Sequence, residues 1–445
     1  MLSRLTVSDN QRFFVTAEGE PFFWLGDTAW ELFHRLTRVE ADDYLRDRAA
    51  KGFNVIQAVA LAELDGLRTP NAYGELPLHG LDPERPNEAY FAHVDWVIAR
   101  ANALGMRVAL LPTWGDKWNR RWGVGPEVFT AENAGSFGEW LGRRYRESAV
   151  VWVVGGDRGP DHKAHVTVIR EMARGLRRGD GGAHLITMHP WGGHGSAQWF
   201  HGADWLDFNV RQNGHEAHWN RYGKIKEDYE RVPARPVFDM EPLYEDHPIN
   251  ASADTQGYST AAEVRRTFYW SVFYGGCGYT YGHHSIWQFW AEGREPINKP
   301  AMFWREALGQ AGASQMIHGR RLMESRPMVA RIPDDDLIAP AASLPWVPGA
   351  GVYRFAATKD AGGRYAMVYA PAGRAFGVRM DRIAGPLVRA WWFDPRTGGA
   401  VPAGEFANEG ERVFASPTPG EALDWVLVLD QASQGYAAPG QLNQK

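Results

Sequence analysis

Short apolar runs recur along the chain, each followed closely by Gly, Asp, Glu, His or Trp. They fall at residues 22–26, 54–60, 107–112, 150–154, 184–188, 205–210, 236–240 and 278–281. Runs of that length with little polar alternation are what strands buried on both faces require. Between them lie stretches with helical spacing, clearest at residues 40–51, 89–104, 137–146, 164–177, 260–273 and 301–311. Thr37 with Glu40 makes a capping box that starts the first of these. Eight strand–helix repeats over about 290 residues predict an α/β architecture, a (β/α)8 TIM barrel. Residues 1–20 alternate polar and apolar and contain Glu18 and Gly19 in a turn before Pro21, which predicts a hairpin plugging the barrel floor.

The pattern changes near His318. Beyond Met323 the apolar runs are short and separated by Gly and Pro, at residues 352–356, 365–369, 376–380, 387–393 and 425–430. Asp394 to Gly399, read DPRTGG, is a strong turn between two of them. These runs predict a small antiparallel β-sandwich following the barrel. The expected division is a catalytic-type barrel over 1–320, a β domain over 321–432 and a frayed tail over 433–445.

A net charge of −5 and a pI near 6.3 argue against nucleic acid or an anionic membrane as the main partner. Cys277 is the only cysteine, which rules out an intrachain disulfide and a cysteine-rich zinc site. The N-terminus has no apolar core of signal-peptide length, and no stretch is long enough to span a bilayer. As written the chain reads as cytoplasmic; a leader removed from it would make it secreted or periplasmic. No phosphate-binding glycine loop occurs in the right context, so no nucleotide cofactor is expected. Twenty Trp, 16 Tyr and 21 Phe are unusual, although core filling accounts for most of them.

In a parallel barrel the residues after each strand meet at one mouth. Here those positions offer Asp27, Thr28 and Trp30; Gln57 and Glu63; Trp114, Asp116 and Lys117; Asp157 and Arg158; and His189 and Trp191. The later strands add Asn209, Arg211, Gln212, Asn213 and His215; Asp239 and Glu241; and Tyr281, His283, His284 and Trp287. Carboxylates, amides and imidazoles bind hydroxyl groups, and indoles cover the apolar face of a sugar ring, so an oligosaccharide or polysaccharide is the expected partner. Asp157 and Glu241 follow strands four and seven, which face each other across a barrel mouth. That pair fits the two carboxyls of glycosidic cleavage, one protonating the leaving oxygen and one meeting the anomeric carbon. The competing reading makes each a structural ion pair, Asp157 with Arg158.

Asp27 reads either as a helix cap or as a sugar ligand, and Asp239 either as a partner of Glu241 or as a buried structural acid. A reactive Glu241 needs donors, with Asn209, His215 or Tyr281 as candidates. A protonated Asp157 needs an apolar setting beside Trp152 or Trp191, or repulsion from Glu241. His189, His194, His201, His215, His218, His283 and His284 cluster in the second half of the barrel. No histidine lies in 22–30 and no H-E-x-x-H occurs, so no metal is expected. A non-catalytic carbohydrate-binding barrel and a metal-dependent hydrolase stay as the rival readings.

Five segments in order, GDTAW (26–30), Gly155-Gly156-Asp157, MHPWGG (188–193), DMEPLYE (239–245) and YGHHSIWQF (281–289), resemble the apiosidase-like glycoside hydrolases. These are TIM-barrel enzymes followed by a β-sandwich whose family name refers to collagen binding. The resemblance runs from about Leu5 to Asp430. It implies that Asp157 is the acid/base and Glu241 the nucleophile of a retaining hydrolysis. The bond it implies is furanosidic, apiose in branched pectin being the family's known case. The loops at 62–80 and 246–257 would then set the sugar preference.

Overall fold

The eight apolar runs become eight parallel strands of one sheet: β1 Trp24–Thr28, β2 Val55–Leu61, β3 Arg107–Thr113, β4 Val150–Gly155, β5 Ile186–His189, β6 Asn209–Gln212, β7 Val237–Asp239 and β8 Gly278–Tyr281. The computed structural model describes residues 2–216, 221–339 and 351–441. Side chains alternate across each strand between two separate cores. In β4, Val151 and Val153 face an inner core, whereas Val150, Trp152 and Val154 face the helices outside. Phe208, Val210, Phe238 and Met240 complete the inner core from β6 and β7 and the residues flanking them.

Ladders run from β1 through β2, β3 and β4 to β5, and from β1 through β8 and β7 to β6. Between β5 and β6 the barrel closes by single bonds: Asp207 N donates to Ile186 O at 2.9 Å and Thr187 Oγ1 to Phe208 O at 2.7 Å. A short return strand, His194–Gly195, runs antiparallel to β6 beside that seam. The floor is covered by three N-terminal strands, Leu5–Val7, Phe14–Thr16 and Pro21–Phe22. Phe14 meets Phe208 edge-on at 5.0 Å, so the expected plug is present.

The outer helices are α1 Arg38–Ala50, α2 Glu88–Ala103, α3 Ala131–Tyr145, α4 Lys163–Asp180, α5 Ala197–Phe200, α6 Arg221–Tyr229, α7 Ala261–Phe273 and α8 Ala311–Glu324. Thr37 and Glu40 form the expected capping box on α1. The helical stretch expected at 301–311 is instead one turn, Trp304–Ala307, followed by α8. The run expected as strand six at 205–210 forms its strand later, because Trp205 and Leu206 turn into the helix-side core.

The C-terminal part is antiparallel throughout its described residues. A six-stranded sheet holds, in spatial order, Arg331–Pro333, Ala356–Asp360, Tyr365–Ala370, Trp425–Gln431, Leu387–Phe393 and Ala400–Ala407. A three-stranded sheet of Ile338–Ala339, Phe376–Arg379 and Glu411–Phe414 faces it over a core of Val368, Phe376, Trp392 and Leu427. The first run expected here, 352–356, carries the one-turn helix Gly351–Tyr353, and its strand starts only at Ala356. Residues 400–407 were not expected as a strand, since exposure on both sides leaves no apolar alternation to read. The segment expected to fray after residue 432 is held as far as it is described. Arg326 Nη2 donates to Ala437 O at 3.0 Å, and Gly440 N donates to Ser325 Oγ at 3.2 Å. Residues 442–445 lie outside the described residues.

Candidate active site

A cavity of about 600 Å³ opens at the C-terminal ends of the barrel strands. Trp30, Glu63, Trp114 and Asp157 reach it from behind β1 to β4, and Gln212, His215, Glu241, Tyr244, His247, His284 and Trp287 from behind β6 to β8. A larger cavity of about 710 Å³ lies around Arg4, Arg107 and His184 at the opposite end of the barrel, away from these groups. Barrel chemistry belongs to the end where the strands' C-termini converge, so the smaller cavity is the candidate site.

Asp157 is brought into the mouth by a local reversal. Gly155 and Gly156 have φ of 102° and 93°, and Asp157 itself has φ of 53°. A Cβ on Gly156 would stand 2.9 Å from Trp114 Cα and from Gly115 N, so only glycine passes this close to the β3 loop. A left-handed aspartate is strained, and such strain persists where surrounding contacts enforce it. Its N–H donates to His189 Nδ1 at 3.2 Å, and Arg158 Nη1 donates to its Oδ2 at 3.0 Å.

That first bond fixes a tautomer. Because Nδ1 of His189 accepts, the ring proton of a neutral imidazole sits on Nε2. Nε2 lies 3.0 Å from Glu241 Oε2. On the other oxygen, Tyr244 OH donates to Oε1 at 2.6 Å, and His215 Nε2 lies 3.5 Å away. Trp30 Nε1 in turn donates to the Tyr244 oxygen at 3.2 Å. Glu241 is thus held on Oε1 by Tyr244, itself positioned by Trp30, while the His189 imidazole lies beside Oε2.

The two carboxyls are driven apart. Burial raises Asp157, the nearby Glu241 charge raises it further, and Arg158 and His189 only partly offset this, leaving it at about 6. Burial also raises Glu241, but the hydrogen bonds from His189 and His215 outweigh it and hold the group well below the usual carboxylate range. Near pH 5 to 6 Glu241 is therefore ionised while Asp157 still carries its proton. Burial, with charge from Glu31 and Asp157, pushes Glu63 well above its ordinary value, so it presents a protonated carboxyl to the cavity.

His215 stacks on His247 at a centroid distance of 4.3 Å, and His284 meets His247 edge-on at 4.5 Å, along one wall. Burial and the neighbouring rings push His247 far down, and burial brings His284 to about 4, so both are neutral at pH 7. His284 has both nitrogens engaged: Nδ1 accepts from Trp287 Nε1 at 3.3 Å, and Nε2 faces Asn298 O at 2.9 Å. Among the described residues no group of three or more His, Cys, Asp or Glu is arranged to hold a metal ion. His218 lies outside the described residues.

Of the residues expected at the mouth, Asp157, Glu241, Trp30, Glu63, Trp114, Gln212, His215, His284 and Trp287 line the cavity. Others do not. Asp27 faces outward, taking Arg48 Nε at 2.6 Å and Tyr44 OH at 2.5 Å, and is neither a helix cap nor a rim ligand. Asn209 also faces outward and contacts His201 at 3.2 Å. Tyr281 OH donates to Glu245 at 2.6 Å, so neither Asn209 nor Tyr281 serves Glu241. His283 is buried, its Nδ1 capping the turn at Ser285 N. His189 and Arg158 sit behind the two carboxyls, touching them without lining the cavity. Trp191 stands outside the lining, against Trp122 and Trp199, and Trp152 points outward to Asp180, so neither indole provides the apolar setting expected for Asp157. Asp239 accepts from Asn213 Nδ2 at 2.8 Å.

Tyr244 and His247 were missed as site residues, although both follow Glu241 closely. They lie in a loop, where strand periodicity carries no information, and the only signal is their nearness to a strand-end acid.

Comparison with known proteins places this geometry. Residues 8–330 match the family model described as the apiosidase-like catalytic domain, and residues 332–430 the one described as "Putative collagen-binding domain of a collagenase". A solved structure described as a glycoside hydrolase shares 30% identity over 97% of this chain and 97% of its own, with a TM-score of 0.88. A glycoside hydrolase family 5 structure from Bacteroides vulgatus ATCC 8482 shares 30% identity over 98% and 94%, with a TM-score of 0.89. No curated protein matches the chain. A family match across the whole barrel and these near-full-length likenesses mean that the chain belongs to the apiosidase-like glycoside hydrolases and is a glycosidase.

Proposed function

We propose that the protein hydrolyses a furanosidic linkage, with apiofuranosyl units as the sugar removed, by a retaining double displacement. Glu241 attacks the anomeric carbon while Asp157 passes its proton to the leaving oxygen. Water then enters, Asp157 takes a proton from it, and the glycosyl–Glu241 ester breaks with retention of configuration. The observation that carries this assignment is that two carboxyls line one cavity in opposite surroundings, Glu241 among the Tyr244, His189 and His215 donors and Asp157 buried near the Glu241 charge. Environments that push two titratable groups apart mark the acid and the nucleophile. Tyr244, His189 and His215 keep Glu241 anionic, and burial keeps the proton on Asp157. Glu63, His215 and Gln212 are placed to bond the hydroxyls, and Trp30, Trp114 and Trp287 to wall the ring. The choice of apiose follows the family.

The test uses aryl apiofuranosides with good and poor leaving groups. Glu241→Ala is expected to abolish turnover of both. Asp157→Ala is expected to spare the dinitrophenyl substrate, and azide to restore its rate by forming a glycosyl azide of retained configuration. Equal losses on both leaving groups, or an azide adduct of inverted configuration, would refute these roles.

A further inference from the structure

Beside the cavity, next to Asp157, stands a group of aromatic side chains that the hydrolytic step does not use. Trp122 is 59% exposed. One face of its ring is covered by the Arg158 guanidinium, 3.9 Å from the centroid. The same guanidinium reaches Asp157 Oδ2 at 3.0 Å. A single side chain therefore separates an open indole from the carboxyl assigned as the acid.

Trp122 meets Trp191 at 6.4 Å, and Trp191 is backed by Trp199 at 5.8 Å. Arg121 lies over Trp191 at 4.2 Å and is paired with Asp161. The residue after Trp191, Gly192, lines the cavity, so the aromatic shelf borders it. Holding Arg158 in place does not explain the shelf. Its Nε donates to Asn119 O at 3.1 Å and its Nη1 to Asp157 O at 2.6 Å, with or without an indole beside it.

The acid must stand on the side from which the leaving oxygen departs, because that oxygen takes its proton. A shelf that begins at Asp157 therefore lies on the leaving-group side. Sugar rings present an apolar C–H face with hydroxyls at the edge, which suits an indole bordered by an arginine–aspartate pair. We infer that Trp122, with Trp191 beside it, binds a sugar ring of the leaving group, so that the natural substrate carries a glycosidic leaving group rather than a simple alcohol. This deepens the proposed reaction and rests on Asp157 being its acid.

The experiment compares two substrate types with the same glycosyl unit, drawn from a panel that includes apiofuranose. One is the glycosyl fluoride, whose leaving group has no ring, and the other a disaccharide. Trp122→Ala is expected to lose roughly tenfold more kcat/KM on the disaccharide than on the fluoride, mostly through KM. Trp122→Phe, which keeps an aromatic face, is expected to recover most of that difference. Equal losses on both substrates would mean that Trp122 only props Arg158 and Asp157, and no loss on the disaccharide would mean that the shelf binds no sugar; either overturns the inference. If the unsubstituted protein cleaves no member of the panel, the proposed reaction fails and the inference falls with it, an outcome distinct from the other two.

Discussion

Around Glu241 and Asp157 the decisive quantity is which neighbour controls which proton. With Asp157 at about 6 and Glu241 well below the usual range, kcat/KM should fall tenfold per unit as pH rises above about 6, and on the acid side hold to below pH 4. The Glu241 charge is, after burial, the largest influence raising Asp157. Glu241→Gln should therefore lower the Asp157 pKa, and Arg158→Met should raise it, both read by carbon NMR of the labelled carboxyl. An Asp157 value unmoved by Glu241→Gln would show that the two do not interact. Tyr244→Phe removes a donor to a charged oxygen, an interaction of about 1.5–3 kcal/mol. The expected result is a kcat lower by about one to two orders of magnitude and an acidic limb displaced upward, since Glu241 then holds its charge less well. Both carboxyls were legible in the sequence because each ends an apolar run. Asp27, Asn209 and Tyr281 also adjoin such runs yet face the helices, as does Leu25, while Trp24 faces inward. One residue of register decides inside from outside, and that register is set by the whole barrel rather than by any local run.

Among the elements, α3 and α4 make an unusually close pair through small residues. A Cβ on Gly138 would stand 2.5 Å from Met172 O, and one on Gly175 would stand 2.9 Å from Glu139 N. Two effects oppose each other on changing these glycines to alanine. Helix propensity favours alanine by about 1 kcal/mol, whereas forcing backbone apart in a packed interface costs about 1–3 kcal/mol. The close contacts are with backbone atoms, which cannot rotate away, so the clash should win. Gly138→Ala and Gly175→Ala are each expected to lower the urea midpoint at constant m-value; a raised midpoint would show that the helices separate freely. The strands were more legible than the helices because burial on both faces leaves a continuous apolar signature. The start of α3 was not readable for the same physical reason that makes it pack well: ahead of Phe137 its buried residues are Ala134 and Gly135, which carry no apolar stripe. α5 spans one turn and left no periodicity to find.

Taken whole, the molecule joins its two parts through aromatic contacts as well as paired charges. Tyr269 of α7 stacks on Tyr369 at 4.7 Å and 13°, and Trp270 Nε1 donates to Arg354 O at 2.8 Å. Arg265 of α7 grips Asp424 with three bonds of 2.8–3.2 Å, both side chains buried. Arg326 holds Asp430 in a second two-pronged pair, also buried. Arg331 reaches back to the carbonyls of Val272 and Gly276 at the end of α7. None of this was visible in the sequence, where the boundary near His318 looked like a change of composition. Paired charges more than a hundred residues apart leave no local pattern. A buried ion pair adds little net stability by itself, but removing one partner strands the other and costs about 3–5 kcal/mol. Asp424→Ala should therefore destabilise the protein by that amount, while Arg265→Met with Asp424→Leu, which leaves no charge behind, should recover much of the loss. Because α7 leads directly into β8 and carries Tyr269, Arg265 and Trp270 on its outer side, loosening this face should loosen the barrel as well. Calorimetry is expected to give one unfolding transition for the native chain. It should give one transition at lower temperature for Asp424→Ala, with hydrolytic activity lost along the same curve. Two separate transitions, or an Asp424→Ala protein whose barrel melts at the native temperature, would show that the β domain is only tethered and that the catalytic mouth does not depend on it.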